Sequence, residues 1–398
     1  MAELFVLVPT AVLDTIEQDG LWGEMSAQMS EPEQLARIVA VSSGRAGLVP
    51  VVGLNRSHFM GTADVRRAGR WYKVDADAQV VWTLTRGRAA GITLKGFREL
   101  LSAALPSPGE HTYLVLTYAP DMPADYTAAR VPRLAGWAVS NEAVHPIAVD
   151  IDTPTSSVQQ LADHWPIENL QEQRVCIVGA GSIGSATAHA LALYGIGTLD
   201  LVDPDRLLRH NLVRHTSSAR QVGKLKVNAL REDLERQRPD TRVNTYPLDV
   251  VDDANTIRAL FDVVDVIVCA TDGVNSRRVA GHLARRAGKD AILACVLESG
   301  ALGEVIRLRP WHDRGCITCI RARHQQTGAF DPEPAINRPY GEGTHHRPMT
   351  AVGADLHLVA AYAAKMAVAT LLQAAGFNDQ RLPSDHLIIA LRPAPMWP

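Results

Sequence analysis

The segment from Arg174 to Asp205 constrains the fold of this chain more than any other. Its sequence, RVCIVGAGSIGSATAHALALYGIGTLDLVDPD, predicts a strand, a glycine loop, a helix and a second strand that ends on two acids. Gly179, Gly181 and Gly184 have the G-x-G-x-x-G spacing of a nucleotide-binding loop. The first glycine allows a tight turn, the second lets a phosphate approach the backbone, and the third lets the helix pack closely on the sheet.

Two further features of this segment point to a nucleotide. The N-terminus of the predicted helix offers unpaired N–H groups and the positive end of the helix dipole to an anion. Asp203 ends the second strand, 24 positions after Gly179, where an acid can bond a ribose hydroxyl. The segment therefore predicts a nucleotide-binding α/β domain.

Polar residues after this segment indicate what the nucleotide is for. A further apolar strand, over residues 263–270, is followed by TDGVNSRR, which places Asp272 at the C-terminal end of that strand. Ligands of open parallel sheets bind at the carboxyl ends of the strands, where cations neutralise phosphates and carboxylates hold Mg²⁺. Together with Asp272, five residues after the glycine loop predict a site that splits a triphosphate rather than one that holds NAD. These are Asp205, Asn211, Arg214, Lys224 and Lys226.

These motifs resemble the ThiF/MoeB-type adenylating superfamily, which includes the ubiquitin-activating enzymes. The resemblance covers roughly residues 175–319 and continues more weakly to about residue 375. The motif D-x-D-x-V-x-x-x-N-L-x-R is matched with Leu207 in place of the valine, and T-D-N-x-x-x-R with Gly273 in place of the asparagine. The matching positions are Asp203, Asp205, Asn211, Leu212 and Arg214, then Gly223 and Lys226 of a G-x-x-K motif, then Thr271, Asp272 and Arg277.

The resemblance implies ATP-dependent adenylation of a C-terminal carboxylate. By position, Asp203 would hold the ribose, Arg214 and Lys226 would contact the triphosphate, Asn211 would bond near the phosphates, and Asp272 would coordinate Mg²⁺. The chemistry agrees, because a carboxylate nucleophile is already ionised at pH 7 and needs no general base.

Several of these residues have structural alternatives. Lys224 can be a solvated surface lysine, and Asp205 can cap the turn that follows it. Asp272 can be the N-cap of a helix that begins near Val274. Arg277 and Arg278 can form an exposed charged helix face.

The chain also departs from the family pattern. The R-Y-x-R-Q segment that supplies an arginine across the family's dimer is absent from residues 156–173, and His215 replaces a glutamine that often follows the signature arginine. Cys176, Cys269 and Cys295 lie inside apolar runs and are predicted to be core thiols.

The other two cysteines, Cys316 and Cys319, form a C-x-x-C where many family members begin a four-cysteine zinc site. The second C-x-x-C is absent, and two cysteines do not close a structural zinc site. One alternative is a Zn²⁺ site completed by histidines, and the other is a pair without metal. The histidines that could complete the Zn²⁺ site are His312, His324, His345 and His346. If a thioester forms, Cys316 or Cys319 would carry it.

Length and composition predict two domains. The 398 residues are 46% hydrophobic with a net charge of −3, which implies no nucleic-acid or membrane partner. We expect a smaller α+β domain over residues 1–155 and a doubly wound, mostly parallel Rossmann-like adenylation domain over residues 156–398. A crossover loop over about residues 320–350 would cover the substrate tail. The apolar stretch 356–375 is predicted to be a buried helix.

The N-terminal domain carries few functional signals. Its predicted strands include residues 4–8, 78–84 and 113–117, whereas residues 18–34 look helical or loop-rich. It has no cysteine, which argues against a fused ubiquitin-conjugating domain, and no H-x-H, which argues against a JAMM-type metalloprotease. Recognition of a peptide or ubiquitin-like substrate and a scaffold role are the alternatives that remain.

Four functions are left by the sequence. The first is activation of a ubiquitin-like or sulfur-carrier protein, together with a conjugating enzyme as a further partner. The second is adenylation of a ribosomal peptide, the third is an NAD(P)-dependent oxidoreductase, and the fourth is a non-catalytic subunit. We expect a cytoplasmic homodimer, because the chain opens without the basic region of a signal peptide and the resembling family pairs its adenylation domains.

Overall fold

The computed structural model describes residues 4–18, 20–30, 34–44, 46–51, 65–86, 90–108, 113–152, 158–297, 300–311, 314–326 and 351–393. The chain divides into two compact units, Met1–Pro154 and Thr155–Pro398. The predicted α/β class is confirmed for the second unit, which contains every candidate site residue.

The N-terminal unit is built on a sheet that closes on itself. In its described part the strands are β1 (Phe5–Pro9), β2 (Trp22–Ser30), β3 (Leu35–Val41), β4 (Val49–Pro50), β5 (Val65–Lys73), β6 (Tyr113–Tyr118), β7 (Leu134–Val139) and β8 (Val144–Asp152). The helices are α1 (Thr10–Gln18), α2 (Ala76–Thr85), α3 (Leu94–Glu99) and α4 (Ala124–Ala128). The strand order is β1-β8-β7-β6-β5-β2-β3-β4, and β1 also pairs with β3.

Two sequence-based assignments in this unit are wrong. Residues 18–34 contain strand β2, and residues 78–84 lie in helix α2. Along β2, buried residues alternate with half-buried ones, which is the period of a strand. Helix α2 is held on the sheet by buried side chains, since the Trp82 indole donates to the Gly136 carbonyl at 2.8 Å.

The second unit has a central sheet of seven strands. They are β9 (Arg174–Val178), β10 (Thr198–Val202), β11 (Arg242–Tyr246), β12 (Val266–Cys269), β13 (Asp290–Leu297), β14 (Leu302–Leu308) and β15 (His386–Ala390). The order is β11-β10-β9-β12-β13-β14-β15, parallel through β13 and antiparallel at β14 and β15. The chain order reverses between β9 and β12, and the crevice at such a reversal is where open α/β sheets bind ligands.

Helices cover both faces of this sheet. They are α5 (Ile167–Gln171), α6 (Ser182–Tyr194), α7 (Lys226–Gln237), α8 (Ala254–Asp262), α9 (Val274–Arg286), α10 (Ile317–Gln326) and α11 (Gly353–Ala374). One hydrophobic cluster contains residues of α6, α7 and α11, and a second contains residues of α8, α9 and α10. Helix α11 is long and apolar enough to cross a membrane, but 67% of its apolar window is buried inside this unit. Its burial confirms the predicted core helix.

The predicted crossover loop is only partly described. Residues 317–326 are helical in α10, and residues 327–350 lie outside the described residues. His312, His345 and His346 also lie outside them.

Candidate functional site

The glycine loop joins β9 to α6 at the reversal of the sheet. Gly179 has a φ of +93°, in the left-handed region, and Gly181 is the N-cap of α6. A Cβ on Gly184 would lie 1.7 Å from the Gly179 carbonyl oxygen, so this position admits only glycine. A Cβ on Gly181 would meet no atom within 4 Å, so this part of the loop is open for the approach of a phosphate.

These two glycines give a matched pair of variants. We expect Gly184→Ala to lower the free energy of unfolding by about 1–3 kcal/mol or more, because the helix must move off the loop. Gly181→Ala is expected to leave unfolding nearly unchanged and to weaken ATP binding by roughly tenfold or more, about 1.4 kcal/mol. Urea unfolding and calorimetric titration check both variants. A Gly181→Ala protein that binds ATP like the wild type would contradict phosphate approach at this glycine.

Asp203 supports the glycine loop from the next strand. Val178 and Val202 are paired in parallel register, so the residues that follow β9 and β10 are neighbours. One Asp203 carboxylate oxygen accepts the Ala180 N–H at 2.8 Å, and the other accepts the Asp205 N–H at 2.8 Å. Burial raises the pKa of the Asp203 carboxyl, and the charge of Lys226 opposes that rise. Asp203 therefore fixes the loop's backbone, in addition to the ribose contact that the sequence predicts.

Lys226 lies close to Asp203 and Asp205, the two acids of the D-x-D motif. It is the first residue of α7, and its backbone N–H donates to the Asp205 carbonyl at 2.9 Å. Its ammonium lies 2.6 Å from Asp205 Oδ2 and 3.9 Å from Asp203 Oδ1. The Lys226 side chain is 12% exposed and that of Asp205 is 66% exposed. The predicted cation thus sits at the ends of β9 and β10, next to the glycine loop.

Lys224 has different surroundings from Lys226. Its ammonium lies 2.7 Å from both carboxylate oxygens of Glu232, and both side chains are partly exposed. Since this surface ion pair occupies the ammonium, these contacts favour the surface alternative over the predicted cofactor-binding role.

Asn211 and Arg214 lie in the turn after β10. The Asn211 side-chain carbonyl accepts the Leu208 N–H at 2.8 Å, and so shapes a 3-10 turn over Arg209–Asn211. The Arg214 carbonyl contacts His357 Nε2 at 3.1 Å, which ties the turn to α11. Within the described ranges, no acceptor contacts the half-buried Arg214 guanidinium. This group is therefore available to a ligand anion.

Asp272 follows β12 on the other side of the glycine loop. Cys269 of β12 pairs with Val178 of β9, and a Cβ on Gly179 would meet the Ala270 carbonyl carbon and oxygen at 3.1 Å. The exposed Asp272 thus lies at the same sheet edge as the loop. Helix α9 begins at Val274 with Gly273 as its N-cap, so the alternative that Asp272 caps this helix is wrong.

His215 is a loop contact that the sequence did not identify. It is buried, its Nε2 lies 2.8 Å from the Ala180 carbonyl, and its Nδ1 accepts the Ser217 N–H at 3.1 Å. Because Nδ1 accepts, Nε2 carries the proton of a neutral ring. Burial lowers the pKa of His215 to about 4. The only signal in the sequence was its position, where a glutamine is common in the family that the motifs resemble.

His215 should make the stability of this unit depend on pH. Its folded pKa lies below the unfolded value of about 6.5, so its contribution is complete above that pH and is lost as the pH falls towards 4. The expected loss is at most about 3 kcal/mol. We expect His215→Gln, which keeps a donor for Ala180 but does not titrate, to lose less stability than the wild type between about pH 7 and pH 4.5. If the free energies of unfolding of the two proteins fell equally between these pH values, His215 would not be the source of the pH dependence.

A buried charge cluster lies beside the site. Glu304 of β14 is 1% exposed and accepts hydrogen bonds from Arg277 of α9 at 3.1 Å and from Arg321 of α10 at 2.7 and 2.5 Å. His386 Nε2 lies 3.0 Å from the same carboxylate. Arg277 is fully buried and Arg278 is exposed. The alternative that both form an exposed charged helix face is therefore wrong for Arg277. Burial alone would raise the pKa of Glu304, but bonds from Arg321 and His386 and the charge of Arg277 hold it far below its usual range.

The C-x-x-C pair lies at the start of α10. The Cys316 and Cys319 sulfurs are 3.8 Å apart, with Cys316 half-buried and Cys319 exposed. Burial alone would raise the pKa of the Cys316 thiol, but hydrogen bonds from Cys319 and Thr318 hold it below its ordinary value. The described parts of the chain contain no group of three or more His, Cys, Asp or Glu residues placed to hold a metal. His324 stacks on His386, with ring centroids 5.5 Å apart. Zinc at this pair stays a prediction.

The site residues fit a nucleoside triphosphate with Mg²⁺. Mg²⁺ is usually held by one or two carboxylates together with the phosphates of the substrate, so the exposed Asp272 meets its needs without a larger protein cage. The open Gly181 backbone, Arg214 and Lys226 supply donors for phosphate oxygens.

A known protein family matches the C-terminal unit of the chain. Residues 157–388, more than half of the chain, match the sequence model described as the ThiF family. "Adenylyltransferase and sulfurtransferase UBA4" of Vanderwaltozyma polyspora is 31% identical over 154 residues, which are 38% of this chain and 34% of that protein. "Ubiquitin-like modifier-activating enzyme 5" of Drosophila persimilis is 30% identical over 162 residues, which are 38% of this chain and 42% of that protein.

The match thus spans about a third to two fifths of the length of these curated relatives. Among solved structures, the crystal structure of E. coli MccB with AMPCPP and selenomethionine MccA is 20% identical, with a TM-score of 0.45. That likeness covers 56% of this chain and 62% of the MccB chain.

Proposed function

We propose that this chain, which belongs to the ThiF family, is an ATP-dependent adenylyltransferase acting on the C-terminal carboxylate of a ubiquitin-like protein, a sulfur-carrier protein or a peptide. Membership agrees with the resemblance that the motifs predicted. One relative is named as an adenylyltransferase and another as a ubiquitin-like modifier-activating enzyme, which supports this class of substrate.

The observation that carries the proposal is the position of Lys226. Its ammonium lies between Asp203 and Asp205, beside a glycine loop that is open at Gly181, and Asp272 lies at the same edge of the sheet. Hydride transfer to or from a nicotinamide needs no such combination of cations and acids. Transfer of an adenylyl group does, because negative charge builds up on the phosphates in the transition state.

In the proposed reaction the substrate carboxylate attacks the α-phosphorus of ATP. A bond forms between a carboxylate oxygen and phosphorus, the bond from phosphorus to the bridging oxygen breaks, and pyrophosphate leaves with that electron pair. No proton moves, because the nucleophile is already ionised. The products are an acyl-adenylate and pyrophosphate.

Each site residue has a proposed task in this step. The glycine loop and the N-terminus of α6 hold phosphate oxygens, and Asp203 keeps the loop in place while it binds the ribose. Arg214 and Lys226 neutralise charge at the α-phosphate, and an ammonium with three donors can bond phosphate as well as Asp205. Asp272 would hold Mg²⁺, which would supply charge neutralisation on the leaving pyrophosphate.

The remaining proposals concern partners. We propose that the N-terminal unit recognises the protein or peptide substrate, that the chain works as a cytoplasmic homodimer, and that the activated acyl group passes to an acceptor such as a conjugating enzyme. These proposals rest on the family resemblance and, for a separate conjugating enzyme, on the lack of a cysteine among residues 1–155.

Product analysis tests the proposed reaction. The protein is incubated with MgATP and the C-terminal segments of candidate ubiquitin-like proteins or peptides, and the nucleotide products are separated. The proposal predicts AMP and pyrophosphate that depend on a free substrate carboxylate, and no turnover of the C-terminal amide. ADP and phosphate, or binding of NAD(P) without any ATP turnover, would refute it.

A further inference from the structure

The five cysteines of the chain fall into two groups. Cys176, Cys269 and Cys295 are at most 2% exposed and lie in the apolar core. Cys316 and Cys319 differ in two ways: their sulfurs are in contact, at 3.8 Å, and solvent reaches both residues. Two accessible thiols in contact are the arrangement from which a disulfide forms.

The start of α10 is anchored on both sides of this pair. Ile317 is 2% exposed and packs in the core, and Arg321, one turn further, bonds the buried Glu304. Before the pair, the Arg285 guanidinium donates to the Arg314 carbonyl at 2.7 Å and to the Trp311 carbonyl at 3.1 Å. The backbone that carries the two sulfurs is therefore held in place from both directions.

Gly315 allows the close approach of the second cysteine. A Cβ at this position would lie 3.0 Å from the Cys319 Cβ, which is closer than ordinary van der Waals contact. A side chain at position 315 would push Cys319 away from Cys316. Closing the pair to a bond of about 2.05 Å shortens the sulfur separation by about 1.8 Å, which rotation of the two side chains can supply.

We propose that Cys316 and Cys319 are a reversible thiol–disulfide site that exchanges with low-molecular-weight disulfides. The exposed Cys319 thiolate attacks one sulfur of the small disulfide, a mixed disulfide forms on Cys319, and one small thiol leaves. The Cys316 thiolate then attacks the Cys319 sulfur, the intramolecular disulfide forms, and the second small thiol leaves. The protein dithiol is oxidised by two electrons, and the small disulfide is reduced to two thiols.

The site is independent of the proposed adenylation, and its test uses no nucleotide. The full chain is reduced, transferred without oxygen into buffers with a series of glutathione to glutathione disulfide ratios, quenched with acid and alkylated. Peptide mass spectrometry then locates the disulfides. The Cys316–Cys319 disulfide is expected to rise from nearly none to nearly all chains as the ratio becomes oxidising, and to disappear again on reduction.

Internal and variant controls accompany this titration. The three buried cysteines should stay reduced and become alkylated only after unfolding, since access limits exchange. In Cys316→Ser, oxidation should stop at a glutathione mixed disulfide on Cys319. The proposal is overturned if Cys316 and Cys319 stay reduced at every ratio, if Cys316→Ser stays unmodified, or if the purified chain holds one Zn²⁺ through both sulfurs and exchanges only after chelation.

Discussion

Glu304→Ala is expected to lower the free energy of unfolding of the C-terminal unit by about 3–5 kcal/mol. Glu304 is the shared counterion of two buried guanidiniums, those of Arg277 and Arg321. Removing it leaves the buried Arg277 charge without its carboxylate partner and takes two hydrogen bonds from Arg321. The Nε and Nη1 of Arg277 already have no hydrogen-bond partner among the described residues. Because α9, α10 and β15 meet at this carboxylate, we expect them to loosen together.

Glu232→Ala is the matched control for this variant. Glu232 also pairs with a cation, Lys224, but the two side chains are 41% and 45% exposed. A surface pair of this kind is worth less than about 1 kcal/mol. Chemical denaturation followed by circular dichroism compares the two variants with the wild type. Equal, small losses for Glu304→Ala and Glu232→Ala would show that the buried cluster does not hold these elements together.

Lys226→Ala is expected to lower the rate of substrate-dependent ATP turnover by roughly 10²–10³-fold. Its ammonium lies close to Asp203 and Asp205 after β10, and Asp203 in turn accepts the Ala180 N–H of the glycine loop. The loss should fall mainly on kcat, because charge on the phosphates is greatest in the transition state. Steady-state kinetics with saturating ATP separate this effect from weaker binding.

Lys224→Ala is the matched control for Lys226→Ala. The two lysines are two positions apart, but Lys224 is paired with Glu232, and its removal should change the rate little. Thermal unfolding of both variants shows whether each remains folded. If Lys224→Ala lost as much activity as Lys226→Ala, the assignment of the catalytic cation from these contacts would be wrong.

The conformation of the glycine loop could be predicted from the sequence because its causes are local. Three glycines at fixed spacing, an apolar strand before them and an acid at the end of the next strand specify a turn whose geometry depends on adjacent residues. The structure adds reasons that no motif states, such as the 1.7 Å contact that a Cβ on Gly184 would make and the bond from Asp203 to the Ala180 N–H.

The contacts that distinguish neighbouring residues could not be predicted in the same way. His215, Glu304 and the different partners of Lys224 and Lys226 depend on where distant segments pack. Arg277 and Arg278 are adjacent in sequence, and only the packing of α9 buries one and exposes the other. A charged pair on a predicted helix gives no sign of a buried counterion 27 positions further along the chain.

In the N-terminal unit, the secondary structure of two segments could not be predicted from the sequence. Strand β2, WGEMSAQMS, contains residues that favour helices, and its two antiparallel neighbours in the sheet, β3 and β5, override that preference. Helix α2 contains Val80, Val81 and Trp82, which favour strands, yet its buried polar bonds fix it on the sheet. Tertiary packing decided both elements.

ATP–pyrophosphate exchange in the wild type and Asp272→Ala tests the central claim most directly. Exchange requires reversible formation of an acyl-adenylate, so the account predicts label transfer that depends on a substrate with a free C-terminal carboxylate. Asp272→Ala should abolish it while the protein remains folded, because the exposed carboxylate makes no hydrogen bond within the described residues. Exchange that is unchanged in Asp272→Ala would remove this residue from the site. No exchange with any candidate substrate, together with measurable NAD(P) binding, would contradict adenylation.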